Sequence, residues 1–392
     1  MPFSLDRVTR QIVAALLATI LWSCATAFCQ SLDSFGPVKP IEHQLNLLVL
    51  GDSVMWGEGL KPEHKSWYHV KTWLEANTGR AVVERVEAHS GAVIEAQDAT
   101  ESMRAEDGEV NVALPTVNDQ IDGALRHYKD GSKVDLVLVN GCANDIGAQN
   151  LLNAAITTDE IRELTQAKCG APVERLLRKI TSSFASAHVI ITGYYPFFSE
   201  KTRNDFFMKA MARKYFKDKP GAARMSSKIT LERLTANSKE WYQASNRSMA
   251  EAVAKVNAEL AVKGSRPRVV FAEIHFLPEH SFKAPETRLW GFNPSPLKRF
   301  LVLLSFGKVQ LETNDERRKQ RNASCDEFYR RRTSDTPEQK KDRQISRLTC
   351  RYAALGHPNR KGALLYADEI TGQLKSTISE AGWLWDLDLR RR

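Results

Sequence analysis

Short apolar runs alternate with amphipathic segments along most of the chain. Short, continuous runs of Val, Ile and Leu are typical of strands that are buried on both faces of a parallel sheet. Strands are predicted over residues 47–50, 81–86, 134–140, 187–193 and 268–272. Between them, apolar residues at helical spacing predict helices over residues 67–76, 117–125, 173–184, 241–260 and 364–374. This order predicts an α/β fold, with a central parallel sheet between two layers of helices.

Two parts of the chain depart from this pattern. Residues 206–235 are charged and indicate no clear element. Residues from about 273 to 351 are first aromatic and then densely charged, and we interpret them as a cap or insertion on one domain. The predicted organisation is a signal peptide over 1–29, a linker over 30–44, one domain over 45–380 that contains the insertion, and a tail over 381–392.

The first residues have the pattern of an export signal. Arg7 and Arg10 precede an apolar run at 12–22, and small residues follow as far as Ala27. A basic start, a short apolar run and small residues are typical of a secretory signal peptide, so we predict a secreted or periplasmic protein. The run is short for a membrane span. An uncleaved anchor and lipidation at Cys24 remain as alternatives.

The composition describes a soluble globular protein, with 42% hydrophobic and 26% charged residues among 392. The net charge of +9 could indicate a nucleic-acid or membrane surface. The basic residues are interleaved with 47 acidic ones, however, and no nucleic-acid-binding module is recognisable, so no nucleic-acid partner is predicted. The sequence contains no H-E-x-x-H pattern and no cysteine–histidine cluster, so no metal or other cofactor is predicted.

The cysteines suggest disulfides. Cleavage of the signal after Cys29 would leave an even set of four, and an even set in an exported protein is typical of a disulfide framework. Four cysteines permit three connectivities. We favour the pairs that are nearest in sequence, Cys142–Cys169 and Cys325–Cys350.

The first apolar run ends at Gly51-Asp52-Ser53, where small and polar residues begin. In a parallel α/β sheet this turn lies at the carboxyl end of the strand, where such sheets bind ligands. A helix that starts at Ser53 would add a partial positive charge and free N–H groups beside the hydroxyl. Ser53 is therefore a candidate nucleophile, and Asp52 is interpreted as a hydrogen-bonding residue of the turn.

Three more loop positions are candidates for chemistry: Gly91 after the second strand, Asn144 after the third, and His357 before the last helix. Asp145 is interpreted as a residue that orients its loop. The blocks, in chain order, are Gly51-Asp52-Ser53, Ser90-Gly91, Gly141-Cys142-Ala143-Asn144-Asp145 and His357-Pro358-Asn359. In these blocks and their order, the chain resembles the SGNH (GDSL-type) hydrolase family over about residues 45–375. The third block has one more residue before the asparagine than the G-x-N-D pattern of that family.

The resemblance implies a flavodoxin-like, three-layer α/β/α sandwich and an esterase site. It implies that Ser53 is the nucleophile and that His357 takes its proton, a role that suits imidazole near neutral pH. It also implies an oxyanion hole formed by the backbone N–H groups of Ser53 and Gly91 and the side-chain amide of Asn144.

One position departs from the family pattern. The family often places an aspartate three residues before the histidine, where it orients the imidazole and stabilises its cation, and Ala354 occupies that position here. A backbone carbonyl could replace the aspartate and leave a Ser–His dyad. Alternatively, an acid from the insertion such as Asp326 or Glu327 reaches the site, or the enzyme is weakened. We favour the dyad, because the other blocks are intact.

Together these features predict an exported serine esterase that cleaves carboxylic esters through an acyl-enzyme. An alternative is an acyltransferase or deacetylase acting on a polysaccharide, with Trp56, Tyr194, Tyr195 and Trp290 as a sugar-binding platform. Another is a non-catalytic binding protein that retains the fold. The predicted partners are a small-molecule ester or an acylated carbohydrate, with no membrane span after signal cleavage. The oligomeric state is left open.

Overall fold

The structure of the protein, a computed structural model, describes residues 44–95, 108–204, 226–292, 312–330 and 336–381. The strands are β1 (Leu45–Leu50), β2 (Val82–Val86), β3 (Leu136–Val139), β4 (His188–Thr192) and β5 (Val269–Ala272). Within the described residues they form one five-stranded, fully parallel sheet in the order β2-β1-β3-β4-β5. The predicted strands are confirmed, with small differences at their ends.

Helices surround this sheet. Those in the described ranges are α1 (Ser53–Trp56), α2 (Ser66–Thr78), α3 (Val117–Tyr128), α4 (Ala143–Ile146), α5 (Ala148–Leu151), α6 (Thr158–Cys169), α7 (Ala171–Ser183), α8 (Ser227–Val262), α9 (Arg318–Phe328), α10 (Pro337–Arg351) and α11 (Arg360–Ala381). Single 3₁₀ turns occur at Pro62–His64, Gly131–Lys133 and Pro278–His280.

Successive residues of β1 point to opposite faces of the sheet, as strand geometry requires. Leu48 and Leu50 pack in one buried cluster with residues of α3, α6, α7 and α8, whereas Leu47 and Val49 pack in another with residues of α2 and α11. The sheet therefore lies between two helical layers, which confirms the predicted three-layer α/β/α fold. Because β1, β2 and β3 are parallel neighbours, the loops at their carboxyl ends meet at one edge of the sheet.

Helix α8 is longer than predicted. It has 36 residues and begins at Ser227, where the Ser226 hydroxyl accepts a hydrogen bond from the Ile229 N–H. The sequence predicted only the part from residue 241, because the first turns are charged and carry few buried apolar residues, such as Leu234. The predicted start of this helix was wrong, whereas residues 205–225 lie outside the described part of the chain.

The described parts of the predicted insertion differ in character. Residues 273–292 run over the main domain, where Phe276 stacks on Tyr195 with ring centroids 4.8 Å apart. Further along, α9 and α10 pack against each other. This second part brings a pair of charged helices close to the loop that carries His357.

Both predicted disulfides are present. Cys142 and Cys169 join the turn after β3 to the end of α6, with Cα atoms 5.2 Å apart. Cys325 and Cys350 join α9 to α10, with Cα atoms 5.9 Å apart. Each disulfide therefore links two helical segments close to a predicted site loop.

The predicted signal peptide, the linker as far as residue 43 and the tail from residue 382 lie outside the described residues. Among the residues that are described, no helix is both long and apolar enough to cross a membrane. In the same ranges, no group of three or more His, Cys, Asp or Glu side chains is arranged to hold a metal ion.

Candidate active site

A tight turn connects β1 to α1 and carries the predicted nucleophile; we call residues 51–57 the nucleophile turn. Gly51 has a φ of +131°, a backbone conformation that glycine adopts readily. A Cβ atom on Gly51 would lie only 2.1 Å from Oδ1 of Asn140, so the turn also needs the space that glycine leaves. Ser53 follows as the buried first residue of α1.

Asp52 caps α1 and is held from two other segments. Its Oδ1 accepts hydrogen bonds from the Val54 N–H at 2.9 Å and from Nδ2 of Asn140 at 2.8 Å. The Tyr194 hydroxyl donates to Oδ2 at 2.5 Å. Burial raises the pKa of Asp52 above its ordinary value, and these hydrogen bonds oppose the rise. The carboxylate is thus the centre of the hydrogen bonds that shape the turn.

The side chain of Gln120, on α3, holds both backbone groups of Gly51. Its Oε1 accepts the N–H at 2.7 Å, and its Nε2 donates to the carbonyl at 3.0 Å. Gln120 and Asn140 were not predicted as site residues, and Tyr194 was named only for a sugar platform. Asn140 had a signal, as a polar residue at the end of an apolar strand, whereas the other two act through tertiary contacts that periodicity does not reveal.

His357 lies beside Ser53, although 304 positions separate them in the chain. Its Nε2 atom is 2.7 Å from the Ser53 Oγ atom. For the hydroxyl to donate to Nε2, the proton of the neutral imidazole must be on Nδ1. The structure therefore brings the predicted nucleophile and the predicted base into hydrogen-bonding contact.

His357 belongs to the histidine loop, residues 352–359, between α10 and α11. This loop pairs with residues 288–290: the Trp290 N–H donates to the His357 carbonyl at 2.8 Å, and the Gly356 N–H donates to the Trp290 carbonyl at 2.9 Å. Gly356 has a φ of +79°, and a Cβ atom there would lie 1.9 Å from the ring of Phe197. The half-buried Phe197 ring therefore packs against Gly356, the residue directly before His357.

The other ring nitrogen of His357, Nδ1, is buried and forms no hydrogen bond within the described residues. Burial and the positive charge of Arg321 lower the pKa of His357 to about 4. The backbone carbonyls of Ala353 and Ala354 and the negative charge of Asp315 oppose this change. The imidazole is consequently neutral at neutral pH, the state in which it can accept a proton.

The two acids named from the insertion are engaged elsewhere. Asp326 pairs with the Arg351 side chain, and Glu327 is exposed to solvent. Ala354 is fully buried in a small apolar cluster with Leu60, Trp290 and Ala363. The described residues thus lend no support to a role for Asp326 or Glu327 at the imidazole.

The three predicted oxyanion donors come from the carboxyl ends of β1, β2 and β3. The His89 N–H donates to a carbonyl of the nucleophile turn at 3.2 Å, which draws the loop after β2 towards that turn. Nδ2 of Asn144 donates to the Ala92 carbonyl at 3.0 Å. In the part of the chain that the structure describes, the backbone N–H groups of Ser53 and Gly91 donate to no other group.

Two contacts fix the loop that carries Asn144. The Asp145 carboxylate accepts the Ile94 N–H at 3.1 Å, and burial raises the pKa of Asp145 to about 6. Cys142, one of the two residues between the glycine and the asparagine of this block, has a φ of +103°, which is uncommon for a residue with a side chain. The disulfide to Cys169 holds Cys142 in this conformation, two residues before the predicted donor.

The aromatic residues considered as a sugar platform lie mostly in the protein interior. Tyr194, Tyr195 and Trp290 are buried. Trp56 is half-buried, and Nζ of Lys65 lies 3.2 Å from the centroid of its ring. These three side chains pack in the interior, which is the commoner role of aromatic residues, and they give no support to a sugar platform.

Residues 47–370 match the family model described as GDSL-like Lipase/Acylhydrolase. The chain belongs to this family. As a GDSL-like hydrolase, it is an enzyme that acts on ester bonds. No curated protein matches the sequence.

Solved structures resemble this GDSL-like hydrolase at low sequence identity. The extracellular lipase of Streptomyces rimosus is 16% identical, with a TM-score of 0.37, over 62% of this chain and 87% of the lipase. Phospholipase A1 of Streptomyces albidoflavus is 13% identical, with a TM-score of 0.37, over 64% and 89%. A family 3 carbohydrate esterase of Clostridium thermocellum is 13% identical, with a TM-score of 0.30, over 59% and 79%.

Proposed function

We propose that this GDSL-like hydrolase is an exported serine esterase, with Ser53 as the nucleophile and His357 as the general base. The 2.7 Å contact between the Ser53 Oγ and His357 Nε2 atoms carries the proposal. A neutral serine hydroxyl is a poor nucleophile, so a base must take its proton during the attack. A neutral imidazole within hydrogen-bonding distance meets both the geometric and the protonation requirement.

The reaction proceeds in two halves. The Ser53 Oγ atom attacks the acyl carbon of the ester while its proton moves to Nε2 of His357. The tetrahedral intermediate collapses to an acyl-enzyme, and the leaving alcohol takes the proton from Nε2. In the second half a water molecule attacks the acyl carbon, His357 again accepts and returns a proton, and the acid is released.

The negative charge of each tetrahedral intermediate requires hydrogen-bond donors. We assign this role to the N–H groups of Ser53 and Gly91 and to Nδ2 of Asn144. The Asn144 amide has two hydrogens, and the bond to the Ala92 carbonyl uses one, which leaves the other for the oxyanion. One such donor is typically responsible for a factor of about 10²–10³ in kcat.

The base acts in a Ser–His dyad. The carbonyls of Ala353 and Ala354 take the electrostatic place of an aspartate, because their partial negative charges favour the tautomer with its proton on Nδ1. Carbonyl dipoles stabilise an imidazolium less than a carboxylate does. The dyad therefore has a weaker base than a triad, and that base stays neutral to lower pH.

Two independent features support export. Residues 1–29 have the basic, apolar and small-residue pattern of a signal peptide. The disulfides Cys142–Cys169 and Cys325–Cys350 are of a kind that forms and persists in oxidising compartments. The substrate is accordingly a small extracytoplasmic ester or an acylated carbohydrate. The buried Tyr194, Tyr195 and Trp290 give no support to a sugar platform, so the polysaccharide acyltransferase or deacetylase alternative rests on the catalytic site alone.

The Ser53→Ala variant tests the proposal. It should reduce the hydrolysis of a short-chain chromogenic ester by at least about 10⁴-fold, because the variant lacks the hydroxyl that attacks the acyl carbon. The melting temperature should change little, since Asp52 rather than Ser53 caps α1. Replacement of the exposed Ser132 by Ala is the matched control and should leave the rate unchanged. Retained activity in Ser53→Ala would exclude Ser53 as the nucleophile.

A further inference from the structure

A buried ionic cluster lies behind the histidine loop, outside the proposed catalytic groups. Arg321, on α9, is fully buried, and its Nη1 and Nη2 atoms donate to the two carboxylate oxygens of Asp315 at 2.8 and 2.6 Å. Nη1 also lies 3.4 Å from Oε1 of Glu58 and 3.7 Å from Oε2 of Glu109. Arginine is almost never fully buried unless it is paired, and here one guanidinium serves three carboxyl groups.

The partners of this guanidinium belong to different segments of the site. Glu58 directly follows the nucleophile turn, and its N–H donates to the Ser53 carbonyl at 2.9 Å. Glu109 lies on the loop that follows the glycine block after β2. The Arg321 Nε atom donates to the carbonyl of Arg351, the last residue of α10, at 3.3 Å. One side chain thus joins the segment of the nucleophile, the loop of an oxyanion donor and the helix that leads to the base.

Helix α10 connects this cluster to His357. Arg351 ends the helix, and the histidine loop begins with the next residue. The disulfide between Cys325 and Cys350 fixes α9 to α10 next to this point. A displacement of Arg321 would therefore also displace the histidine loop, because Arg351 and the disulfide connect the two.

The cluster also packs against the position that the family usually gives to an aspartate. A Cβ atom on Gly59 would lie 2.9 Å from the Cβ atoms of both Ala354 and Asp315. Gly59, immediately after Glu58, is therefore enclosed between the histidine loop and the ionic cluster. This contact needs glycine at position 59 and brings the Ala354 side chain close to the cluster.

The cluster brings three carboxyl groups and two guanidinium groups together. Burial and the negative charge of Glu109 raise the pKa of Glu58 well above its ordinary value, and the positive charge of Arg321 opposes this rise. The carboxyl groups of Asp315 and Glu109 also face Arg321. The Arg317 Nε atom, 3.7 Å from Glu109, adds a second positive charge at the edge of the cluster.

We propose that Arg321 is a positioning residue for His357. Arg321 holds the histidine loop against the nucleophile turn, in place of the missing aspartate. The inference rests on the proposed function, because it takes His357 as the base. Unlike an aspartate, Arg321 is positive, and its charge lowers the pKa of His357, whereas Asp315 raises that pKa by a smaller amount. Loss of Arg321 should therefore weaken the contact between His357 and Ser53. It should also raise the pH below which the rate falls, which is the acid limb of the pH–rate profile.

Two variants separate these effects. Arg321→Lys keeps the positive charge but loses the planar guanidinium group that forms two parallel hydrogen bonds with Asp315. With a short-chain chromogenic ester, its kcat should fall about 10- to 100-fold, with KM changed less than about threefold and the acid limb unmoved. The double variant Arg321→Met, Asp315→Asn removes both charges of the closest ion pair, and Arg317 stays beside Glu109. Its kcat should fall similarly, and its acid limb should rise by at least about half a pH unit.

The control is Asp326→Asn, which breaks the ion pair with Arg351 on the same two helices but touches none of the cluster. Its kcat should stay within about twofold of that of the wild type. Folding is checked by circular dichroism, and the Lys variant decides alone if the double variant does not fold. The proposal is overturned if Arg321→Lys keeps the wild-type kcat, or if Asp326→Asn loses as much. If the wild type does not hydrolyse the ester, or Ser53→Ala retains its rate, the proposed function fails instead.

Discussion

The two members of the proposed dyad are held in different ways. Ser53 lies on a turn at the end of β1, where the neighbouring backbone N–H groups donate to the side-chain oxygens of Gln120 and Asn140. His357 lies on a loop that no strand precedes, which pairs with residues 288–290 and packs against the cluster of Arg321. The proposed nucleophile therefore depends on the sheet, and the proposed base depends on residues of the predicted insertion.

This difference gives the insertion a larger role than that of a cap. Its charged helices hold the loop that carries His357 in place, as β1 holds the turn that carries Ser53. Substitutions near the sheet should accordingly change how the transition state is stabilised, whereas substitutions in α9 and α10 should change how the base is presented and at which pH it acts.

The largest effect is expected on the sheet side, from Asn144→Ala. Loss of the amide removes one oxyanion donor, so kcat should fall by about 10²–10³-fold with little change in KM. Steady-state kinetics with a short-chain ester measure this loss. Asn150→Ala is the control, because the side chain of Asn150 bonds the Ile146 carbonyl in the adjacent helical segment. A loss of less than about tenfold in Asn144→Ala would remove Asn144 from the oxyanion hole.

The two disulfides provide a matched pair for the comparison, because their sequence separations are 27 and 25 residues. Loop entropy predicts that replacing either pair with serines lowers the free energy of unfolding by about 3.5 kcal/mol. The kinetic effects should differ. Loss of Cys142–Cys169 should release Asn144 and lower kcat about tenfold at an unchanged pH profile.

Loss of Cys325–Cys350, in contrast, should release α10 and change the acid limb of the profile. Urea unfolding and pH–rate profiles of both double variants provide the measurements. If both variants change the same kinetic parameter in the same way, the proposed difference between the support of the oxyanion donor and the support of the base is wrong.

The smallest effect concerns the wild type in mild acid. Only neutral imidazole can act as the base, and burial together with Arg321 lowers the pKa of His357 to about 4. The kcat/KM at pH 5.5 should therefore remain at about nine-tenths or more of its value at pH 7, whereas an ordinary histidine would leave about one-tenth. An acid limb near pH 6.5 would show that the surroundings of His357 do not act on it as described.

The same shift has a consequence for stability. The unfolded chain binds a proton to His357 near pH 6.5, and the folded chain binds it only near pH 4. The contribution of His357 to stability is thus present above pH 6.5 and is lost as the pH falls towards 4. Melting temperatures of the wild type and of His357→Gln over this range should converge as the pH falls.

The sheet and the positions of the site residues could be predicted from sequence because their signals are local. The apolar strand before Gly51 and the ordered blocks at Gly91, Asn144 and His357 each lie within a few neighbouring residues. Arg321 has no such signal. It is one of many basic residues in a charged stretch, and only the fold brings it to Glu58, 263 positions away.

The length of α8 was missed for a related reason. Its first turns are charged, and their few buried residues pack against helices that local periodicity does not reveal. Helix propensity and the hydrophobic pattern predict a helix best when many of its residues are buried on one face. Where few residues are buried, packing against other helices decides whether the segment is helical.

Labelling with a serine-directed fluorophosphonate, followed by intact-mass and peptide analysis, tests the central claim most directly. The account predicts a single adduct on Ser53, no adduct in Ser53→Ala, and labelling of His357→Gln that is slower by at least about 10²-fold. An adduct on another residue, or labelling of Ser53→Ala at the wild-type rate, would contradict it.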